Sequence, residues 1–146
     1  MIAFVGGLIV VVIMAFMKVK ECVVSVFVEV SFGEALDKYS ILKIKSVKIS
    51  DQLKLEEIKK EMVSLEKVIN FGDYHSFLDR LQKVNESLWD INDSRKRMIE
   101  NSSFDEDFIS LSVSESKLND ERFLIKQEIN TFFGSSFHEQ KSYDWA

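Results

Sequence analysis

Two charged residues stand in a register that should be apolar. From Phe104 to Phe133 the residues Phe104, Phe108, Leu111, Leu118, Ile125, Ile129 and Phe132 recur at the 4-3 spacing of a helix face packed against partners. Glu115 and Arg122 fall on the same stripe. A charge in a core-facing register must be paired, reach water or serve a site. For Arg122 the fitting chemistry is anion recognition, because a guanidinium grips a carboxylate or phosphate through two parallel hydrogen bonds. Antiparallel pairing about a turn near Ser102 sets Leu81 to Asn85 near Asn119 to Arg122, and Leu88 and Trp89 opposite Glu115. Asn85, Asn119, Asp120 and Arg122 then converge midway along a hairpin, with Asp120, Asp37 or Glu34 as the carboxylate for Arg122. Glu115 gains no cation from this register and is expected to turn to solvent. The cluster has two readings. One is a buried ion-pair and amide network that sets helix register. The other is a small polar pocket for an anionic or sugar-like ligand, lined by Lys38, Arg122, Asn85 and Asp120.

Other chemistry is weaker. Asp90 and Asp93 share a helix face with Glu86, as a magnesium site beside a phosphate would need, and Asp90 lies nearer the apolar stripe. Many surface acidic residues share that spacing, so no metal site is assigned. His75, near a helix start, reads as a surface residue. Ser142 has no visible histidine to activate it, and there is no glycine-rich phosphate loop. No catalytic residue and no cofactor is assigned.

The chain has 146 residues, 46% of them hydrophobic and 29% charged, which suits one folded domain. A net charge of −5 argues against a general nucleic-acid binder, which needs a basic face. One cysteine, Cys22, excludes an intrachain disulfide and a cysteine-based zinc cluster, and fits a reducing compartment. No proline and only five glycines leave few helix breakers, as expected of long helices joined by short turns.

The run Ile2 to Met17 is uncharged and just short of the roughly 17–25 residues that span a bilayer. Residues 1–21 therefore form a hydrophobic extension. It is a membrane anchor, with Lys18 and Lys20 placing the rest in the cytoplasm, a cleaved segment or upstream addition to a chain that starts at Met17, or a buried helix. Residues 22–146 are expected to form a single helical domain. Cys22 to Val30 alternates valine with other residues as a strand does. A lone strand must pair across a dimer axis, continue from the upstream run, or lie as an extended arm. Ser31 and Glu34 form a capping box for a first helix running to about Ile49, with Leu36, Tyr39, Ile41, Leu42 and Val47 on its apolar face. Ser50-Asp51 caps a second helix to Ile69, with Leu55, Ile58, Met62, Leu65 and Ile69 on its stripe and Glu56 paired with Lys60. Asp73 caps a third, Tyr74 to Glu100, whose register is broken by Arg95. Ser103 and Glu106 form a second capping box for the fourth, which Gly134 stops. The long third and fourth helices, joined by a few polar residues, must be antiparallel neighbours about 40 Å long. The fold class is all-α: a long antiparallel hairpin with two shorter helices packed along it, preceded by a short strand or arm.

Several motifs, taken in order, carry a resemblance. Gly33-Glu34 runs into Leu36-Asp37-Lys38 and then Ile41-Leu42-Lys43-Ile44-Lys45. Asn85 follows with Leu88-Trp89-Asp90-Ile91, then Asn119-Asp120 with Arg122, then Glu139 with Lys141-Ser142-Tyr143. Together these resemble an uncharacterised, mostly bacterial helical family, over about Val28 to Tyr143. Some members of that family sit beside glycosyltransferase or tetratricopeptide-repeat modules, which implies a loose link to cell-surface sugar metabolism and no defined activity. The apolar extension and Gln140, inserted ahead of the Lys-Ser-Tyr triplet, depart from the family pattern. The resemblance and the packing register pick out largely the same polar residues: Asp37, Lys38, Asn85, Asp90, Asn119, Asp120, Arg122, Lys141 and Tyr143.

Two functions are expected from these features. The first is a non-catalytic helical binding or assembly module, a homodimer through the Val23–Val30 strand or an uncovered helix stripe. The alternative is a small enzyme or ligand-binding domain acting on an anionic sugar or nucleotide sugar at the mid-hairpin cluster. An assembly module should show an exposed apolar patch, and a ligand site should show a cavity that Lys38, Asp120 and Arg122 reach.

Overall fold

Gly33 stands where two helices approach closely. A computed structural model describes residues 27–69 and 73–141 as four helices: α1 (Phe32–Lys48), α2 (Gln52–Ile69), α3 (His75–Glu100) and α4 (Glu106–Phe133). At Gly33 a Cβ would stand 2.7 Å from the Lys126 carbonyl oxygen and 2.8 Å from Asn130 Oδ1. The Gly33 amide donates to that same Asn130 oxygen at 2.8 Å. A helix start normally leaves its first amides without intrahelical partners. Here α4 supplies one acceptor and Ser31 Oγ, taking the Glu34 amide at 3.2 Å, supplies another. The capping box is thus half formed, because the Glu34 carboxylate reaches Lys126 instead.

α3 and α4 form the antiparallel hairpin that their lengths require. α1 lies directly on both, and α2 packs on α1. That layered position explains why α1 is buried on more than one side, at Ala35, Leu36, Asp37, Ser40, Leu42 and Ile44. Val47, expected on its apolar face, is 84% exposed because α1 is ending there. The core joins Leu36, Ile69, Leu81, Val84, Leu88, Ile125 and Ile129, with Phe32, Tyr39, Phe77 and Phe133 at its edge. On α2 Ile58 and Ile69 are buried, and Lys60 pairs with Glu57 rather than Glu56.

The hairpin turn uses different caps from those expected. Asp105, not Ser103, caps α4, accepting the Phe108 amide at 3.1 Å while Ser103 Oγ holds its other oxygen at 2.7 Å. Tyr74 precedes α3 without a side-chain cap. α3 ends with the Ser103 amide on the Met98 carbonyl and the Ser102 amide on that of Ile99, a Schellman closure with Ser102 at φ 54°. Gly134 closes α4 in the same way at φ 64°, and turns the chain back.

α1 ends where Lys48 bonds Asp90 at 2.8 Å, and the hairpin continues past it. No residue from Trp89 to Leu124 is buried. Arg95 and Glu115 meet there, both partly buried, so Glu115 does not turn to solvent. The two register breaks, one on each helix, pair with one another through Arg95 Nη1, while Arg95 Nε is buried without an acceptor among the described residues and the guanidinium lies 5.2 Å from the Phe108 ring centre.

The extension 1–21 lies outside the described residues, as do Cys22 to Val26 of the expected strand. Phe27 to Val30 is exposed and not in a strand, so among the described residues this segment is an arm. No helix among the described residues is long and apolar enough to cross a membrane.

Candidate functional site

Helical spacing puts Ser116, Asn119, Asp120 and Phe123 on one face of α4, and Arg122 and Lys126 on the adjoining one. After Gly134 the chain doubles back over these faces as a strap, residues 135–141. Several polar contacts hold it. Ser135 Oγ accepts the Phe32 amide at 3.0 Å, and Gln127 Nε2 donates to the Glu139 carbonyl at 2.6 Å. The Glu139 carboxylate meets Lys126 Nζ at 2.5 Å, and Lys141 Nζ meets Asp120 Oδ1 at 2.6 Å. Lys141 also stands 4.8 Å above the Phe123 ring. Between strap and helix lies a cleft of about 320 Å³, lined by Asn119, Asp120, Arg122, Lys126, Glu139 and Lys141 among others.

Behind the cleft is a closed network that aims Arg122. Asn85, only 4% exposed, donates both amide hydrogens, to Asp37 Oδ1 at 2.7 Å and to Ser40 Oγ at 2.7 Å. Ser40 Oγ in turn donates to the Asp37 carbonyl. The amide cannot flip without setting its oxygen against a buried carboxylate, so that oxygen faces Arg122, whose Nη1 lies 3.4 Å away. This long contact uses one of five guanidinium donors. Among the described residues Arg122 has no carboxylate partner: Asp120, Asp37 and Glu34, expected to supply one, are engaged by Lys141, Asn85 and Lys126.

The other two cations of the cleft are paired. Lys126, 7% exposed, bridges Glu34 on α1 at 3.0 Å and Glu139 on the strap. Burial pulls its ammonium towards neutrality, but the hydrogen bonds it donates to Glu139 and Glu34 outweigh that and raise its pKa above the usual lysine value.

The residues selected from the sequence therefore separate by place. Asn119, Asp120, Arg122 and Lys141 line the cleft. Asn119 Nδ2 is tied to the Glu115 carbonyl at 3.0 Å, leaving its other polar positions for the cleft. Asp37 and Asn85 are support behind it. Lys38 is on another surface, paired with Glu61 of α2 at 2.6 Å, because at its position on α1 it faces away from the hairpin. Asp90 is held by Lys48 on an exposed edge. Tyr143 lies outside the described residues. Among the described residues no group of three acidic, histidine or cysteine side chains could hold a metal. Lys126 was not singled out, although it stands four residues after Arg122; nor was Asn130, whose partner is a backbone amide far away in sequence.

Residues 26–146 match the family model described as a family of unknown function, DUF6165, and the chain belongs to that family. The motifs quoted above fall within the matched residues. No curated protein and no solved structure matches the chain.

Proposed function

We propose that this member of the family is a binding module for a small anionic, sugar-like ligand held in the strap cleft. One observation carries the reading: Arg122 is anchored by Asn85 in the cleft wall yet has no carboxylate partner among the described residues. A guanidinium aimed from a fixed amide and left with free donors suits a phosphate or carboxylate. The cleft lies at the lower end of the range of small-ligand pockets, which is about 300–1,000 Å³. Its polar lining suits a hydroxylated ligand, with Asn119, Asp120 and Glu139 as hydrogen-bond partners for hydroxyls. Among the described lining residues the polar groups are ones that hold a ligand, and no nucleophile–base pair stands out, so the reading proposed is binding. Thermal-shift measurements with glucose 6-phosphate, glucuronate and neutral glucose test it. The anionic sugars should raise the melting temperature of the wild type and not of Arg122→Ala. No shift with either anion, or equal shifts in the variant, would sink the reading.

A different observation favours assembly of two copies. The hairpin outruns α1, and beyond that point Ile99, Phe104, Ile109 and Val113 are each half or more exposed. Exposed Lys96 and Arg97 end α3 while exposed Glu106 and Asp107 begin α4, at the same end of the hairpin. A two-fold axis there sets the basic turn of one copy against the acidic turn of the other. Two hairpins would complete a coiled-coil-like four-helix bundle in which each covers the other's apolar surface.

A further inference from the structure

The strap rests on α4 in an unusual way. Its one large apolar side chain, Phe137, is 52% exposed, so apolar packing contributes little to holding it down. Beyond Ser135 at its root, the strap is held by the pairs Glu139–Lys126 and Asp120–Lys141, the Gln127 bond to the Glu139 carbonyl, and His138 Nδ1 against Gln127 Oε1 at 3.2 Å. Both ion pairs lie in the lining of the cleft. Each cation that an anionic ligand would use beside Arg122 is therefore already neutralised by a carboxylate of the protein. Lys126 is the sharper case. Its Glu34 contact comes from α1 and belongs to the packed domain, whereas its Glu139 contact comes from the strap and can leave with it. Gly134, left-handed at the exit from α4, is a natural pivot for that movement.

We infer that Glu139 is a built-in competitor for the ligand anion, so that the strap closes the empty cleft and is released from Lys126 when an anion enters. This rests on the binding function proposed above and assigns its regulation. The exchange is one anion for another on the same ammonium, so it needs no refolding of the helices. The Lys126 ammonium is buried, but the Glu139 side chain is 44% exposed and open to water, so a ligand already gripped by Arg122 can take its place while Glu34 stays on the ammonium.

The test uses the full chain, inorganic phosphate as the probe, and Glu139→Gln. Calorimetry should show phosphate binding the variant roughly two- to fivefold more tightly than wild type, the gain expected from removing a competing carboxylate that water partly screens. In the wild type, saturating phosphate should lower the NMR order parameters of residues 136–140 while those of α3 and α4 stay high. Tighter binding together with a loosened strap supports the inference. If the variant binds phosphate no better and the strap stays ordered at saturation, the competitor role is overturned while the Arg122 site stands. If neither protein binds phosphate, both fall. Should Glu139→Gln fold poorly, the order-parameter measurement on wild type alone decides: an unchanged strap in a phosphate-saturated protein overturns the inference.

Discussion

The side-chain oxygen of Asn85 faces the Arg122 guanidinium because both hydrogens of its amide are committed, to Asp37 and to Ser40. One buried residue thereby links α1, α3 and α4 and orients the cation of the cleft. Asn85→Ala should remove both bonds and leave a buried carboxylate oxygen and a hydroxyl short of a donor. The expected loss is about 2–4 kcal/mol, from the unsatisfied groups and the cavity together. Urea denaturation measures it, and a loss below about 0.5 kcal/mol would mean that water replaces the amide without cost.

Gly33→Ala tests the contact between α1 and α4. In an open helix the substitution would stabilise by up to about 1 kcal/mol. Here the new methyl meets backbone at 2.7 Å, and a carbonyl of α4 cannot rotate aside as a side-chain end can. The sign should reverse, to a destabilisation of about 1–3 kcal/mol in denaturant melts. A neutral or stabilised variant would show that the helices separate freely at this point.

Tyr39 predicts an alkaline transition. Burial, then the hydrogen bond to Glu66 at 2.7 Å and the charge of Glu66, push its phenol up to about 12. A group whose folded pKa is raised contributes stability that is complete below its ordinary value near 10 and is lost as pH rises through the folded value. Wild type should therefore lose stability relative to Tyr39→Phe between about pH 10 and 12. Ultraviolet titration should show one phenol ionising near the top of that window in wild type and absent from the variant. Parallel stability curves for the two proteins through that window would contradict it.

Assembly through the hairpin end has its own check. Sedimentation of the wild type should give a dimer at micromolar concentration, and Phe104→Glu with Ile109→Glu should give a folded monomer with unchanged helical circular dichroism. These positions are exposed within one copy, so the double variant has no reason to unfold. A monomeric wild type would remove the second copy from the account.

Much of this fold was legible in the sequence because its causes are local. The 3.6-residue periodicity, Ser31 and Asp51 as caps, and Gly134 as a stop all act within a turn or two of chain. Antiparallel register also carried Asn85 to Arg122 across 37 positions, because a short turn leaves two long helices little choice. What remained hidden depends on contacts between distant elements. Glu115 found Arg95, though both had been recognised as misfits in their own helices. Lys38 turned towards Glu61 because α2 backs α1, and nothing in the periodicity of α1 says which side another helix will cover. Gly33 gave no local reason to be glycine, and its requirement comes from the Lys126 carbonyl. The strap was the hardest part to read. Residues 135–141 have no regular structure, and their place depends on ion pairs to α4.

The central claim is that Arg122 is a binding residue rather than a structural one. Calorimetric titration of glucose 6-phosphate into wild type, Arg122→Lys and Arg122→Ala tests it most directly, with denaturant melts run alongside. A charge-assisted hydrogen bond contributes about 1.5–3 kcal/mol, so Arg122→Ala should bind at least about tenfold more weakly. Arg122→Lys should fall between, keeping the charge and losing the planar fork. Stability should change little across the series, because the guanidinium makes one long contact to Asn85 and no ion pair among the described residues. Equal affinities in all three proteins, with Arg122→Ala losing several kcal/mol of stability, would show Arg122 to be a strut of the hairpin and contradict the account.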